Sequence, residues 1–353
     1  MTFLLYGAYG YTAQLIVQEA EQYGLVPLLA GRNAAKLKEL SDATGYAYRV
    51  AALDEPNKLD ELLAEAPLVL HAAGPFIHTA RPMLEACLRT GTHYLDITGE
   101  IPVFAMAQQM DQRAKEKNTL LMPGVGFDVV PTDCLALYLH RQLPDATHLR
   151  LAFTSVGSGF SRGTAATMAE NLGESGAERR DGKIVRAPVG EHTLQVPFSD
   201  RERFAMSIPW GDVFTAYYTT GIPNIQTYMA VSPTTYRNAR AQRYIGPLLR
   251  TPLVRNWVKR RIARSVKGPN AEQRQKARSF IWGDLRNAAG ECRQARLTTP
   301  NGYTLTAQAG LIIIKRLLNG ELKPGFWTPA GLLGADLIME VKGVIREDLA
   351  SKE

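Results

Sequence analysis

Seven residues near the start of the chain, Gly7-Ala8-Tyr9-Gly10-Tyr11-Thr12-Ala13, have the types and spacing to hold a pyrophosphate. Such an anion needs backbone N–H donors at a helix N-terminus, where unsatisfied amides and the helix dipole both favour negative charge. Gly7 permits a sharp turn out of a strand, and Gly10 lets the backbone approach the phosphates with no Cβ in the way. Glycine spacing alone is a weak signal. Here the loop follows the apolar run Phe3-Leu4-Leu5-Tyr6 and precedes Leu15, Ile16, Val17 and Ala20, which are spaced for one helix face. With the second apolar run, Val26 to Ala30, this reads as strand, glycine turn, helix, strand. That second run ends at Ala30-Gly31-Arg32-Asn33, where no Asp or Glu is present to hold two ribose hydroxyls. Arg32 can instead fork onto a 2′-phosphate, so the expected cofactor is NADP, bound as NADPH. The competing reading of Arg32 is a solvated turn residue.

The elements that must position this loop follow in order. Asn33 caps a helix reaching about Ser41, and Tyr46 to Ala52 is a third strand whose end, Leu53-Asp54, lies where an adenine ring would rest. Leu59, Leu62 and Leu63 mark a short helix, and Pro67 to Ala73 is a fourth strand ending in Gly74-Pro75-Phe76. A helix over Thr79 to Arg89, a strand over Thr92 to Asp96, a long helix over Pro102 to Lys117 and a strand over Thr119 to Met122 complete the alternation. That rhythm predicts an α/β fold, a Rossmann-type doubly wound parallel sheet. After Pro123 the texture changes. Leu149 to Val156, Ile184 to Val196, Phe204 to Ile208, Val213 to Thr219, Ser279 to Leu285 and Gln294 to Thr299 read as antiparallel strands, with a hairpin turn at Asp181-Gly182. Gly163 to Leu172 and Tyr303 to Leu318 read as helices, and Pro329 to Ile338 as an amphipathic helix. The expected domains are 1–127 plus 329–353, and a second α+β domain, 128–328, whose face would cover the cofactor.

Composition narrows the function classes. At 45% hydrophobic and 21% charged, the 353-residue chain is ordinary for a soluble globular protein, and no apolar run reaches the length of a membrane span. An apolar strand begins at once, so no signal or transit segment is expected. Three scattered cysteines suggest reduced thiols in a cytoplasmic protein, and the six histidines show no metal spacing, so no metal site is expected. Charge is concentrated: residues 237–278 hold thirteen Lys or Arg against one acid, Glu272, within a chain of net +7. Apolar Leu248, Leu249, Leu253, Val254, Trp257 and Val258 interleave with those cations, and Pro247 and Pro252 should break the stretch into short pieces. It reads as an arm lying peripherally on anionic membrane, as a contact for an acidic carrier protein, or as a solvated cationic face; with no recognition module beside it, nucleic acid is not expected.

The motifs together resemble the saccharopine dehydrogenase-like oxidoreductases, and more closely the branch containing the trans-acting enoyl reductases of lipid synthesis. The residues that carry this are Gly7 to Thr12, Ala30-Gly31-Arg32, Ala73-Gly74-Pro75-Phe76, Tyr94-Leu95-Asp96-Ile97-Thr98-Gly99-Glu100, Gly126 to Asp133 and Thr328-Pro329-Ala330. They span nearly the whole chain in the family's order, and they specify the family without specifying a substrate. The resemblance implies an NADP-binding Rossmann domain, a second domain carrying the substrate surface, and a C-terminal helix returning to the first domain. It also implies that Gly74-Pro75-Phe76 passes near the ribose and nicotinamide.

The expected cofactor-binding set is thus Gly7, Ala8, Tyr9, Gly10, Tyr11, Thr12, Arg32, Asn33, Asp54, Ala73, Gly74, Pro75 and Phe76. Hydride transfer belongs to the cofactor, while the protein supplies orientation, a proton and exclusion of water. No tyrosine has a lysine four residues on, so the short-chain dehydrogenase acid is not indicated. Tyr94, Asp96 and Asp128 are the expected catalytic residues, with Thr98 and Glu100 nearby; helix capping competes for Asp128 and Asp133. Arg162 is the one isolated arginine suited to a carboxylate substrate. The aromatic residues Phe153, Phe160, Trp210, Phe214, Tyr217, Tyr218 and Tyr228 favour a lipid-like or acyl substrate over a small amino acid. The alternatives are a saccharopine-type amino-acid oxidoreductase and a non-catalytic NADP-binding protein docked through its basic segment. A homodimer is the remaining partner expectation.

Overall fold

The computed structural model describes residues 1–170, 173–249 and 268–350, with Thr251, Val254, Trp257, Val258, Arg261, Ile262 and Val266 between the last two ranges. The chain forms two compact units, Met1–Val130 with Tyr303–Leu333, and Pro131–Gly302 with Gly334–Glu353.

The first unit alternates strand and helix: β1 (Thr2–Tyr6), α1 (Tyr11–Glu19), β2 (Val26–Gly31), α2 (Ala34–Thr44), β3 (Tyr48–Val50), α3 (Pro56–Leu63) and β4 (Leu68–His71). There follow α4 (Phe76–Thr90), β5 (His93–Asp96), α5 (Ile101–Gln109), α6 (Asp111–Glu116) and β6 (Leu120–Met122). The strands lie in the order β6-β5-β4-β1-β2-β3, all parallel, and a short strand Gly325–Phe326 adds a seventh beyond β6. Parallel strands covered on both faces need near-continuous apolar runs. Phe3, Leu4 and Leu5 of β1 and Leu68, Val69 and Leu70 of β4 are accordingly fully buried. Each such side chain contributes about 1.5–3 kcal/mol of burial. The strand order reverses between β1 and β4, the place where open parallel sheets bind ligands at their carboxyl ends.

Two boundaries in this unit differ from expectation. α4 begins at Phe76, not Thr79, because a carboxylate distant in sequence supplies the cap described below. The expected helix over 102–117 is broken at Met110, where ψ is 2°. Past the break, Asp111 Oδ1 accepts the Phe326 amide at 2.8 Å and so holds the short edge strand on β6. The helix Gly302–Leu318 completes the unit, burying Leu305, Leu311, Ile313 and Ile314, and Thr306 Oγ1 accepts the Phe127 amide at 2.9 Å.

The second unit contains α7 (Val130–Gln142), β7 (Ala146–Val156), α8 (Arg162–Glu170), β8 (Gly176–Arg180), β9 (Lys183–Ala187), β10 (Thr193–Pro197) and β11 (Glu202–Ser207). After these come α9 (Asp212–Thr220), β12 (Asn224–Ala230), α10 (Pro233–Leu249), β13 (Arg278–Asn287) and β14 (Cys292–Pro300). The sheet runs β10-β11-β12-β7-β13-β14, ends on a strand at Ile345–Leu349, and carries β8 and β9 as a hairpin beside β12. Asp181 and Gly182 turn that hairpin with φ of 47° and 75°, as Asp-Gly suggests. The pairs are antiparallel except β7 with β12, which is parallel. On one sheet face Leu149, Leu151, Ile225 and Leu285 are buried, and Leu135 and Leu139 of α7 fit against Gly283. Thr219 of α9 donates to Asp133 of α7 at 2.5 Å, tying these two helices together.

Several expectations are corrected here. Residues 213–219 form helix α9, not a strand: Phe214 and Tyr218 stack at 4.8 Å one helical turn apart, and Gly221 ends the helix in the left-handed region. The span 184–196 is two strands separated by a turn at Gly190, whose φ is 69°. β12 is a strand that periodicity did not reveal. α10 continues through Pro247 to Leu249, so Pro247 does not break the helix as expected. Of the arm, Leu253, Lys259 and Arg260 lie outside the described residues, as does Leu172, where the helix from Gly163 was expected to end. The expected assignment of 329–353 to the first domain holds only to Leu333. Ile345–Leu349 instead fills the open ladder edge of β14, with Arg346 opposite Leu297, and Arg346 caps the Tyr138 ring at 3.7 Å. The helix expected over 329–338 is Pro329–Leu333 alone, and the stretch that returns to the first unit is Tyr303–Leu333.

Candidate cofactor site

Gly7 leaves β1 with φ of 83°, and a Cβ there would sit 2.8 Å from that of Ala73. Only glycine brings the β1 and β4 ends this close. The Gly7 and Ala8 amides both donate to Ala30 O, and Gly10 N donates to Gly7 O at 2.8 Å, which closes the loop onto its own backbone. Gly10 is the N-cap of α1 and offers no side chain to the helix. Among the first amides of the helix, those of Thr12 and Ala13 therefore have no intrahelical carbonyl, and Gly10 supplies no capping side chain, as an anion site requires. A pyrophosphate fits these donors. The Tyr11 ring meets Tyr303 edge-on at 5.0 Å, so its side chain packs within the unit.

At the end of β2 the Tyr9 ring lies on Gly31, with Cε1 2.9 Å from where a side chain would begin. Lys36 Nζ stands 5.5 Å above the same ring. Arg32 is exposed, and Asn33 accepts the Lys36 amide at 3.0 Å, capping α2 as its sequence position predicts. This edge offers a 2′-phosphate the Arg32 guanidinium and presents no carboxylate at the position after β2. Asp54, beyond β3, is exposed.

The β4 end is built differently. Ala73 and Gly74 lead through a cis Gly74–Pro75 peptide into α4, and the Phe76 ring packs inward against His71 at 5.4 Å. Glu100 accepts the Phe76 and Ile77 amides at 2.9 and 2.8 Å, so a carboxylate already fills the N-terminus of α4. Phosphate therefore belongs at α1, and Phe76 contributes shape to the site instead of an amide. Thr79 Oγ1 donates to Ala73 O at 2.8 Å and also meets His71 Nε2 at 3.0 Å. Burial lowers the His71 pKa to about 3, so it stays neutral.

The structure brings Tyr94 and Asp96 together. The Tyr94 hydroxyl donates to Asp96 Oδ2 at 2.6 Å, while Oδ1 accepts the Thr98 and Gly124 amides at 2.9 and 2.8 Å. Both residues are fully buried. Burial pushes the Asp96 carboxyl up to about 7, against the pull of its three donors toward the carboxylate. This arrangement braces the β5 and β6 ends, and an Asp two residues before Thr98 was its sequence signal. Asp128, alone of the expected catalytic trio, keeps partial exposure. Its carboxyl lies on Gly99, where a Cβ would come within 2.7 Å of Oδ2. Burial first, and then the charge of Glu100, raise the Asp128 pKa to about 7. Sequence reasoning missed Glu100 as the cap of α4, because a contact between residues 24 positions apart leaves no local pattern. In the second unit, Arg162 is exposed and donates to Val266 O at 3.3 Å, and Phe153 packs on Trp210 at 4.6 Å. Among the described residues no cluster of His, Cys, Asp and Glu could hold a metal.

Residues 3–122, which include the glycine loop, match the family model of the saccharopine dehydrogenase NADP-binding domain, and NADP is the cofactor that this domain takes. A saccharopine dehydrogenase-like oxidoreductase of Rattus norvegicus is 28% identical over 203 residues, covering 50% of this chain and 47% of that protein. A trans-acting enoyl reductase of Mycobacterium ulcerans (strain Agy99) is 27% identical over 199 residues, covering 52% and 48%. The chain spans about half the length of the curated relatives it matches. Apo saccharopine dehydrogenase (L-Glu forming) of Saccharomyces cerevisiae shares the fold at a TM-score of 0.66 and 13% identity, over 99% of this chain and 100% of that one. Glycine loop, strand order and family match agree on an NADP-binding, Rossmann-type domain whose residues 3–122 are similar to the saccharopine dehydrogenase NADP-binding domain.

Proposed function

We propose that this protein is an NADPH-dependent oxidoreductase that delivers hydride to a lipid-like or acyl substrate such as an enoyl group. The observation that carries the cofactor half is the uncapped start of α1 beside an Arg32 with no acid at the end of β2. The bound cofactor supplies the hydride. The chain's own groups hold the phosphates at Gly7 to Thr12, shape the nicotinamide end through Ala73 to Phe76, and keep a proton on Asp128 near neutral pH. Tyr94 and Asp96 hold the loops that carry Thr98 and Gly124 and act as positioning residues.

The acyl reading draws on similarity to a trans-acting enoyl reductase and on similarity to a lipid droplet localized protein of Caenorhabditis elegans, 29% identical over 193 residues. Trp257 is 62% exposed with the Arg261 guanidinium 5.8 Å from its ring, a pairing suited to a headgroup boundary. No described helix is long and apolar enough to cross a membrane, and the lipid contact proposed here is peripheral. An acidic carrier protein suits the same cations, and a homodimer is compatible with either. NADPH consumption with a trans-2-enoyl thioester, and with saccharopine in parallel, tests the proposal. Turnover of saccharopine alone would move the protein to the amino-acid branch. NADPH binding with no turnover of either would favour the non-catalytic, surface-docked reading.

A further inference from the structure

β4 carries one polar side chain in an otherwise apolar strand. His71 follows Leu68, Val69 and Leu70 and is, like them, 0% exposed. A buried imidazole costs desolvation that a fourth aliphatic residue at this position would avoid. Three rings surround it: Tyr6 at 5.5 Å, Phe76 at 5.4 Å and Tyr94 at 6.3 Å. Among the described residues its side chain has one hydrogen-bond partner, Thr79 Oγ1, 3.0 Å from Nε2, and Nδ1 has none.

Thr79 fixes which way that bond runs. Its hydroxyl has one hydrogen and three acceptors within reach: Ala73 O at 2.8 Å, Pro75 O at 3.3 Å and the imidazole. If the hydrogen went to Nε2, Ala73 O would lose its donor, and the imidazole proton would sit on Nδ1 with nothing to accept it. A buried N–H without an acceptor costs the desolvation of that group, and orphan donors are rarer than under-used acceptors. The hydroxyl therefore donates to Ala73 O, and Nε2–H donates to the hydroxyl. Nδ1 is left as a bare lone pair among the rings. Burial keeps the imidazole neutral, as this order requires.

The residue at the end of this relay forms a wall of the cofactor crevice. Ala73 abuts Gly7, where a Cβ would stand 2.8 Å from that of Ala73 and 2.9 Å from its N. It lies at the β1–β4 switch point, beside the phosphate loop. Because the Ala73–Gly74 peptide is planar and trans, holding the Ala73 carbonyl toward Thr79 points the Gly74 N–H the opposite way. Gly74 is exposed, and its N–H has no acceptor among the described residues. We propose that His71 is a positioning residue for the nicotinamide half of the cofactor, acting through Thr79 on the Ala73 carbonyl and so aiming the Gly74 N–H, given that the nicotinamide lies along Ala73 to Phe76 as proposed above.

Titration of the full chain with NADPH and with 2′,5′-ADP, which lacks the nicotinamide nucleotide, tests this. Thr79→Val, close in shape, should weaken NADPH about tenfold and leave 2′,5′-ADP unchanged. Thr79→Ser, which restores the hydroxyl, should bind NADPH as wild type does. His71→Phe should weaken NADPH in the same direction, and His71→Gln, whose amide replaces Nε2–H, should recover it. In nitrogen NMR spectra the imidazole signal lost in His71→Gln should be neutral and protonated at Nε2 between about pH 5 and 8. Wild-type NADPH affinity in Thr79→Val, equal losses toward both probes, a Thr79→Ser as weak as Thr79→Val, or a proton on Nδ1 would each overturn the proposal. Unaltered nicotinamide fluorescence when wild type binds NADPH would instead remove that ring from Ala73 to Phe76, and the role of His71 with it.

Discussion

Glu100 accepts the Phe76 amide at 2.9 Å, so the first turn of α4 is closed by a carboxylate that precedes α5. Because the Ile77 amide shares the same carboxylate, Glu100→Ala should strip two partners from the helix start and cost about 1–3 kcal/mol. Glu100→Gln, which keeps one accepting oxygen, should recover part of that loss. Urea midpoints of the three proteins measure it. Equal midpoints would show that water replaces the cap without penalty.

Arg32 predicts discrimination between cofactors. Wild type should bind NADPH more tightly than NADH, and Arg32→Ala should lose about 1.5–3 kcal/mol toward NADPH with little change toward NADH. Fluorescence titration of both cofactors against both proteins checks this. Equal affinities in wild type would leave Arg32 as a solvated turn residue.

Asp128 predicts a pH dependence. Its folded pKa of about 7 lies above the ordinary 3.8, so folding favours its neutral form. That contribution is fully present below the unfolded pKa and is lost as pH rises through about 7. Asp128→Asn is neutral throughout, so wild type should fall behind it by about 1–2 kcal/mol across that window, a figure reduced because water reaches the side chain. In turnover, a proton held on Asp128 should make the rate decline above the same pH, and the asparagine variant should lose that limb. Denaturation curves that stay parallel from acid to neutral pH would remove Asp128 as a titrating group.

Tyr94→Phe separates positioning from proton delivery. The variant leaves the buried Asp96 Oδ2 without its 2.6 Å donor and should cost about 1–3 kcal/mol. As a positioning residue, Tyr94 should affect KM and stability more than kcat. A collapse of kcat in a variant of unchanged stability would restore it as a direct proton donor.

The basic segment predicts lipid selectivity. Each cation near an anionic surface contributes about 1 kcal/mol, screened by salt within a Debye length. The protein should sediment with phosphatidylserine vesicles and not with neutral ones, and charge reversal at Lys259, Arg260 and Arg261 should abolish the difference. Indifference to vesicle charge would make the segment an ordinary solvated face.

The cofactor half of the fold was legible because its signals are local. Gly7 and Gly10 sit between a strand and a helix, Asn33 caps where Asn caps, and Pro67 to Ala73 has the unbroken apolar run of a doubly covered strand. The second unit was less legible where tertiary contacts outvote propensity. The β-favouring Val213, Phe214, Tyr217 and Tyr218 form a helix because Arg179 and the Phe214–Tyr218 stack reward helical spacing. Terminal residues 345–349 lack a strand's apolar alternation, and only the open edge of β14 explains their place. In the site, Asp96 and Glu100 were visible as acids at strand ends, but their hydrogen-bond partners are set by the three-dimensional arrangement.

The chain enters the second unit at Pro131, re-enters the first at Tyr303 and leaves it again after Leu333. No contiguous gene fragment therefore encodes either unit whole. During vectorial synthesis the outer edge of β6 has no strand to pair with until the ribosome has passed residue 326, long after β1 to β6 have emerged. A chain stopped at residue 130 would display that edge permanently, with the Asp111 carboxylate aimed at an amide never made.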